Sequence, residues 1–307
     1  MPATSTLFPD ALDARFADLF DGEYTQLPDL RPKFFTMVGP GDTPQKQDYR
    51  TSSIGVFANI PEFSGTLTYQ DIFEGYDGVI TPRHYASGFE IERVLFEDDQ
   101  SEQMDDKPRG LGLAYARTIQ THAAAFLNNA FSVDTTWNSF TENVALCSNS
   151  HTTRNTSAST TSGFDNLVTA ALNTVSLVAM RIQFRGFRDD AGNRGTFLPN
   201  MLIIPVDLCQ QAYEIIESMG VPEDANNAAN YNQGRYTVVE WEYLTDVNNF
   251  FIADERLMKQ SNLWYQRIPY EFAMVEDFDS FSGKWRVRAR HGQGHRDWRF
   301  LLGAQVA

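Results

Sequence analysis

The longest periodic stretch of the chain runs from Pro108 to Phe131. Leu111, Tyr115, Ile119, Ala123, Phe126 and Ala130 recur there on one face at the helical period, with Arg117, Thr121 and Asn128 opposite. Pro108 suits a first helical turn, and Asp105 and Asp106 suit the positive end of the helix dipole. The spacing predicts a helix over 108–131, about 35 Å long at 1.5 Å per residue. Gly110 and Gly112 weaken its first turns. Before it, from Lys33 to Phe96, the pattern is one of strands and turns. β-prone runs at Ile54–Ile60 and Thr66–Ile72 are separated by Pro61 and Phe63-Ser64-Gly65, and a longer strand region carries Val79, Tyr85, Phe89, Ile91 and Val94. A hairpin with so few apolar positions is marginal alone and needs a partner, in this chain or another. Near the start, Leu12, Phe16, Leu19 and Phe20 share helical spacing in a segment too short to stand alone in water, which reads as an arm lying on something larger.

After the long helix comes a polar loop, Ser148–Ser162. Asp165 is then expected to cap a second helix with Leu167, Val168, Ala171, Leu172, Val175 and Val178 on its inner face. Met201–Ile204 is wholly apolar and reads as a buried strand ended by Pro205. Asp207 is expected to cap a third helix, with Leu208, Ala212, Ile215 and Met219 inside and Gly220 as its stop. Later strands are expected at Tyr236–Tyr243, Phe272–Val275 and Lys284–Ala289. In the last, Trp285, Val287 and Ala289 alternate with Arg286, Arg288 and Arg290, giving one apolar and one basic face. The order of elements is that of an α+β fold.

Composition narrows the function. With 42% hydrophobic and 13% aromatic residues, the 307-residue chain has material for a sizeable core. A net charge of −15 excludes gripping nucleic acid by phosphate neutralisation, though not enclosing it. The only cysteines, Cys147 and Cys209, stand outside any CxxC or metal spacing and read as reduced thiols of an intracellular protein. Met1–Phe20 has no basic leader region, and no 18-residue apolar stretch predicts a membrane span.

Candidate chemistry is sparse. Ser148, Ser150 and His151 lie together, but no GxSxG elbow surrounds either serine, and His151 reads as a solvated loop residue. His84, His122, His151, His291 and His295 form no HExxH, and His291 and His295 flank a glycine-rich stretch that reads as a surface turn. Gly110-x-Gly112 lacks the third glycine of a dinucleotide loop, and no phosphate-cradling GxxxxGK[ST] is present. Glu97-Asp98-Asp99 reads as solvated or capping, and Asp189–Asn193 as a turn rather than a calcium loop. The residues therefore predict no catalytic site, no cofactor and no metal. An interaction protein is expected, with an uncharacterised hydrolase using Ser148 or Cys147 as the alternative from another class.

Several segments, taken in order, carry a resemblance. They are Gly65-Thr66-Leu67-Thr68-Tyr69-Gln70-Asp71 with Gly75-Tyr76; Tyr85-Ala86-Ser87-Gly88-Phe89-Glu90-Ile91-Glu92-Arg93 with Glu97-Asp98-Asp99; Leu111 to Phe131; and Leu146-Cys147-Ser148-Asn149-Ser150-His151. Leu202-Ile203-Ile204-Pro205-Val206-Asp207-Leu208 through Ser218, then Tyr243-Leu244-Thr245-Asp246 with Phe250-Phe251, then Asp297-Trp298-Arg299 with Gly303, complete the set. Together they resemble the major capsid proteins of tailed bacteriophages. Val206 stands where that family carries a second proline.

The resemblance implies a Hong Kong 97-type capsid fold. An N-terminal arm would take residues 1–45 and an E-loop 46–90. A peripheral (P) domain would take 91–160 and 281–307, with a spine helix at 108–131, and an axial (A) domain 161–280. It implies self-assembly as pentamers and hexamers into an icosahedral head that encloses the phage genome, in the virion after assembly in the host bacterial cytoplasm. Phe57, Phe63, Tyr69 and Phe73 would be assembly residues. The absence of a long coiled coil before the arm implies a separate scaffold protein, beside a portal and a possible cement protein. DNA would be packaged without sequence-specific binding. An encapsulin-type cage, which shares the fold and encloses enzymes, is the alternative within the same class.

Overall fold

The computed structural model describes residues 8–42, 47–67, 69–92, 94–95, 103–156, 158–221, 228–277 and 282–306. The arm consists of helix α1 (Phe8–Tyr24), the one-turn helix α2 (Arg31–Phe34) and strand β1 (Thr36–Val38). It lies on something larger, as its apolar spacing predicts, and that support is the long helix together with the strands Asn262–Asp277 and Ser282–His295. Phe16 is fully buried with its ring centroid 5.0 Å from that of Trp285, and Phe20 is buried among Tyr24, Tyr115, Tyr270 and Phe272. The side chain of Leu12 lies outside the described residues.

The long helix, α3 (Asp106–Asn128), begins and ends two or three residues from its expected bounds. Tyr115, Ile119 and Ala123 are buried and Arg117 and Thr121 exposed, on the expected faces. The buried band is wider than one stripe, taking in Ala116, Gln120, Ala124 and Leu127, because the arm covers a second side of the helix. Gly112 is what lets the arm approach: a Cβ there would lie 2.7 Å from the Phe20 carbonyl oxygen. Asn128 is half-buried, donating to the Tyr243 carbonyl at 3.0 Å and accepting from the Thr245 amide at 3.1 Å.

Strands β2 (Tyr49–Ile54), β3 (Glu74–Ile80) and β5 (Asn138–Phe140) form one antiparallel sheet. A second sheet has the order β1-β10-β11-β4, with β4 (Arg83–Glu92), β10 (Asn262–Asp277) and β11 (Ser282–His295). β10 and β11 pair from Asn262 opposite His295 to Asp277 opposite Ser282. Trp285, Val287 and Ala289 are buried in alternation with the arginines, as predicted. On the outer face Arg288 pairs with Glu271 at 2.6 Å and Lys284 with Asp277 at 2.6 Å, so the basic face is partly neutralised. The division expected between residues 280 and 281 falls between β10 and β11, two strands that share one sheet.

The glycine-rich stretch at 291–295 is the end of β11, not a surface turn. Glycine is needed there because a Cβ on Gly294 would sit 2.6 Å from the Ile80 side chain. His291 is consequently buried, with its Nε2 2.9 Å from Nδ1 of His122 and its ring stacked on Trp264. Burial pushes the His291 pKa down to about 3 and that of His295 down to about 4.

The third sheet runs β6-β12-β9-β7-β8, with β6 (Leu167–Val168), β7 (Met201–Ile204), β8 (Thr237–Glu240), β9 (Phe250–Ala253) and β12 (Leu301–Ala304). Every residue of β7, β9 and β12 is buried, which explains their unbroken apolar runs. The helix expected from Asp165 begins later, as α4 (Thr174–Arg185). Leu167 and Val168 instead pair with Gly303 and Ala304. Asn173 caps the helix, accepting from the Ser176 amide at 2.7 Å while Ser176 Oγ accepts from the Asn173 amide at 3.0 Å. The inner face is accordingly Leu177, Met180 and Phe184, and Val175 is exposed. Asp207 caps nothing: a 3₁₀ turn at Val206–Leu208 leads into α5 (Cys209–Glu217), which buries Ala212, Ile215 and Ile216. Met219 lies past the helix end and is exposed. A short helix, α6 (Glu255–Ser261), is capped by Asp254. No helix among the described residues is long and apolar enough to cross a membrane.

Candidate assembly interface

The segment between β2 and β3 forms no strand among its described residues, so the runs expected at Ile54–Ile60 and Thr66–Ile72 do not pair as a ladder. The register shifts between Ser52 and Ile54, the strand pairing ends with Ile54 opposite Glu74, and Pro61 withholds a ladder donor beyond it. The segment is closed at its base by the Gly55 amide donating to the Phe73 carbonyl at 2.8 Å. Within it, the Gln70 side chain donates to the Asn59 carbonyl at 3.2 Å.

All four expected assembly residues stand out from the subunit here. Phe57 is 55% exposed, Phe63 70%, Tyr69 86% and Phe73 43%, and Ile54 and Ile60 are exposed beside them. Between Ile54 and Glu74 the charges are Glu62, Asp71 and Glu74, with no lysine or arginine.

The base of the loop, in contrast, is tied to the body. Tyr76 Oη and Thr152 Oγ1 are 2.7 Å apart, Arg154 donates to the Gly75 carbonyl at 3.2 Å, and the Asp77 amide donates to Thr141 Oγ1 at 2.8 Å. A Cβ on Gly75 would fall 2.1 Å from Ser53 Oγ, so that strand crossing is tight.

Beneath the base sits a buried polar frame that corrects the reading of His151 as solvated. His151 is 3% exposed and its ring stacks on Trp298 at 4.2 Å. Its Nδ1 lies 3.2 Å from the Glu142 carboxylate, and its Nε2 3.1 Å from Asn166 Oδ1 and 3.3 Å from the Leu146 carbonyl. Asn166 also donates to the carbonyls of Leu146 and Leu301. Arg299, likewise buried, donates to Asp190 at 2.8 Å, to Asp297 at 2.9 Å and to the Arg188 carbonyl. This frame joins the 142–152 loop, the 188–190 turn and the C-terminal strand. Local sequence could not show it, because its members are far apart in the chain.

The alternative hydrolase chemistry is not assembled. The hydroxyls of Ser148 and Ser150 face each other at 3.0 Å, while both nitrogens of His151 are engaged by Glu142, Asn166 and Leu146. Cys147 is buried, and burial pushes its thiol pKa up, away from the reactive thiolate. Asp189 accepts from the Ala191 and Asn193 amides, which makes Asp189–Asn193 the expected turn. Among the described residues no group of His, Cys, Asp and Glu is arranged to hold a metal ion. Glu97-Asp98-Asp99 lies outside the described residues.

Solved structures share this architecture. The mature capsid of bacteriophage PhiM1 is 11% identical with a TM-score of 0.61, over 92% of this chain and 88% of that one. The capsid of cyanophage P-SCSP1u is 13% identical with a TM-score of 0.58, over 92% of this chain and 90% of that one. The structure titled for Mycobacterium phage Patience is 11% identical with a TM-score of 0.58, over 97% of this chain and 88% of that one. These likenesses show the Hong Kong 97-type fold. No curated protein matches the sequence. A family model described as phage capsid protein matches residues 76–303, from the base of the exposed loop through the spine helix to the last strand, leaving out β1 and β2, and the chain belongs to that family.

Proposed function

We propose that this chain is the major capsid subunit of a tailed-phage head, assembling as pentamers and hexamers into an icosahedral shell around the genome. The observation that carries this reading is the 55–73 loop, whose described residues form a run of exposed aromatic and aliphatic side chains tied to the body by hydrogen bonds at its base. A soluble monomer rarely presents so much contiguous apolar surface without a partner to cover it. In a shell each loop is covered by a neighbouring copy.

The division proposed is the one the resemblance implies: an arm to residue 45, an E-loop at 46–90, a P domain from 91–160 with the C-terminal strands, and an A domain beginning at 161. Because β10 shares its sheet with β11, the P domain in this reading also takes residues 262–277. The charge of −15 suits a wall that holds DNA without binding its sequence. A separate scaffold, a portal and a cement protein are the other expected partners, with assembly in the host cytoplasm. The role needs no catalysis.

The test is electron microscopy of particles formed by the full chain and of virions from infected cells. Closed icosahedral shells, filled with DNA in the virion, are expected. Shells filled with an enzyme, or no shells, would overturn the reading.

A further inference from the structure

A narrow cavity of about 30 Å³ lies where the end of the spine helix, the 132–146 stretch and the end of β11 meet. Three of the side chains that line it carry oxygens with incomplete bonding. Asn138 and Gln293 are 4% and 3% exposed, and the amide oxygen of each is buried with no donor. Burying a carbonyl oxygen without a positive partner is costly. The third is Asp134. Its carboxylate accepts from the amides of Thr136 at 2.7 Å, Trp137 at 3.3 Å and Asn138 at 3.2 Å. Among the described residues no Lys, Arg or His side chain is paired with it.

The fold brings the three together. The turn from Asp134 to Asn138 is held by that carboxylate, and the Asn138 side chain lies against β11: a Cβ on Gly294, the neighbour of Gln293, would be 2.9 Å from Asn138 Cγ. Asn138 Nδ2 is 3.3 Å from His295 Nδ1, which leaves Oδ1 as the unengaged end of the amide. One carboxylate and two amide carbonyls make a set of hard oxygen donors, the chemistry that suits calcium. Calcium tolerates irregular coordination, whereas magnesium holds its own water shell and demands an octahedron, which so small a cavity does not accommodate. Two of the three donors are amides, so the site is not a grouping of His, Cys, Asp and Glu. We propose that this cavity is a calcium site, with Asp134, Asn138 and Gln293 as its protein ligands and water completing the shell. A single carboxylate gives weak binding, with a dissociation constant of about 10⁻⁴–10⁻³ M. The ion would tie the spine helix end, the 134–138 turn and β11 to one another. This inference does not depend on the shell reading.

The experiment uses the full-length chain and terbium as the luminescent probe for calcium. Trp137 lines the cavity, so terbium bound there should emit when tryptophan is excited, and added calcium should displace it. Asp134→Asn keeps an oxygen for the turn amides and removes the charge; Gln293→Met keeps the length and removes the oxygen. Each should lower the calcium-displaceable emission at least fivefold while still melting cooperatively in chelator. Wild-type protein should also melt about 2 °C higher at a calcium concentration tenfold above its dissociation constant, and both variants should lose that shift.

Emission unchanged in both variants would assign the terbium to other carboxylates of this acidic chain and overturn the site. A wild-type melting temperature indifferent to calcium would leave the cavity to water and overturn it as well. A rise produced by sodium, potassium or magnesium at the same concentration, and not by calcium, would overturn the assignment of the ion.

Discussion

Excision of the exposed loop separates what folds the subunit from what builds the shell. The replacement of residues 56–72 by a Gly-Ser-Gly linker is permitted by the geometry, since Gly55 and Phe73 already meet through a 2.8 Å backbone hydrogen bond. Few stabilising contacts are lost, because Ile60, Phe63 and Tyr69 are 93%, 70% and 86% exposed and so bury little area in their own subunit. The closing loop becomes roughly fourfold shorter, which by chain entropy favours the folded state by about 1 kcal/mol. For a chain of this size such a gain raises the melting temperature by about 2–4 °C at most. The excised subunit should therefore be soluble and melt cooperatively by circular dichroism at or slightly above the wild-type temperature. It should form no particles by electron microscopy. A large drop in melting temperature would mean that the loop belongs to the core, and intact shells would mean that it does not join subunits.

Two glycines in the spine helix should respond oppositely. Gly110→Ala meets nothing within 4 Å and should stabilise the subunit by about 0.5–1 kcal/mol, whereas Gly112→Val drives side-chain atoms toward the Phe20 carbonyl, 2.7 Å from the Cβ position, and should cost about 1–3 kcal/mol in urea denaturation. Acid should destabilise the fold through its buried histidines. With folded-state values near 3 for His291 and near 4 for His295, against about 6.5 for an unfolded histidine, the unfolded chain takes up protons first, so stability is full above about pH 6.5 and falls steadily toward pH 4; a flat urea midpoint from pH 7.5 to 4.5 would contradict this. Boiled particles should run as a single monomer band on a denaturing gel, because lysine is scarce and Lys46, the one lysine in the proposed E-loop, lies near its base; a ladder of covalent oligomers would refute that.

Much of the frame was readable because it rests on local periodicity. The spine helix announces itself by one apolar stripe over six turns, β7 by an unbroken apolar run, and β11 by strict alternation of aromatic or aliphatic residues with arginine. The exposed loop was legible from the scarcity of any core it could make, although its strands end earlier than their β-prone residues suggest. The failures share a cause, which is that distant contacts decided the outcome. Leu167 and Val168 look helical until β12 offers them a ladder, and an Asn-x-x-Ser box then starts the helix at Thr174. Glycines near His291 and His295 read as a turn, but they mark where Ile80 packs on a strand backbone. His151 sits in a polar stretch that looks solvated, yet Trp298, well over a hundred residues away, covers it. The exposure of Val175 was missed because the helix start was placed too early, which turned that residue toward an expected core.

The central claim is that the 55–73 loop is uncovered in one subunit and covered by a neighbour in the shell. An electron cryomicroscopy map of assembled particles tests it most directly. The account predicts density for Phe57, Phe63, Tyr69 and Phe73 packed against an adjacent copy around every capsomer. Shells in which those side chains remain in solvent, with subunits joined through other surfaces alone, would contradict it.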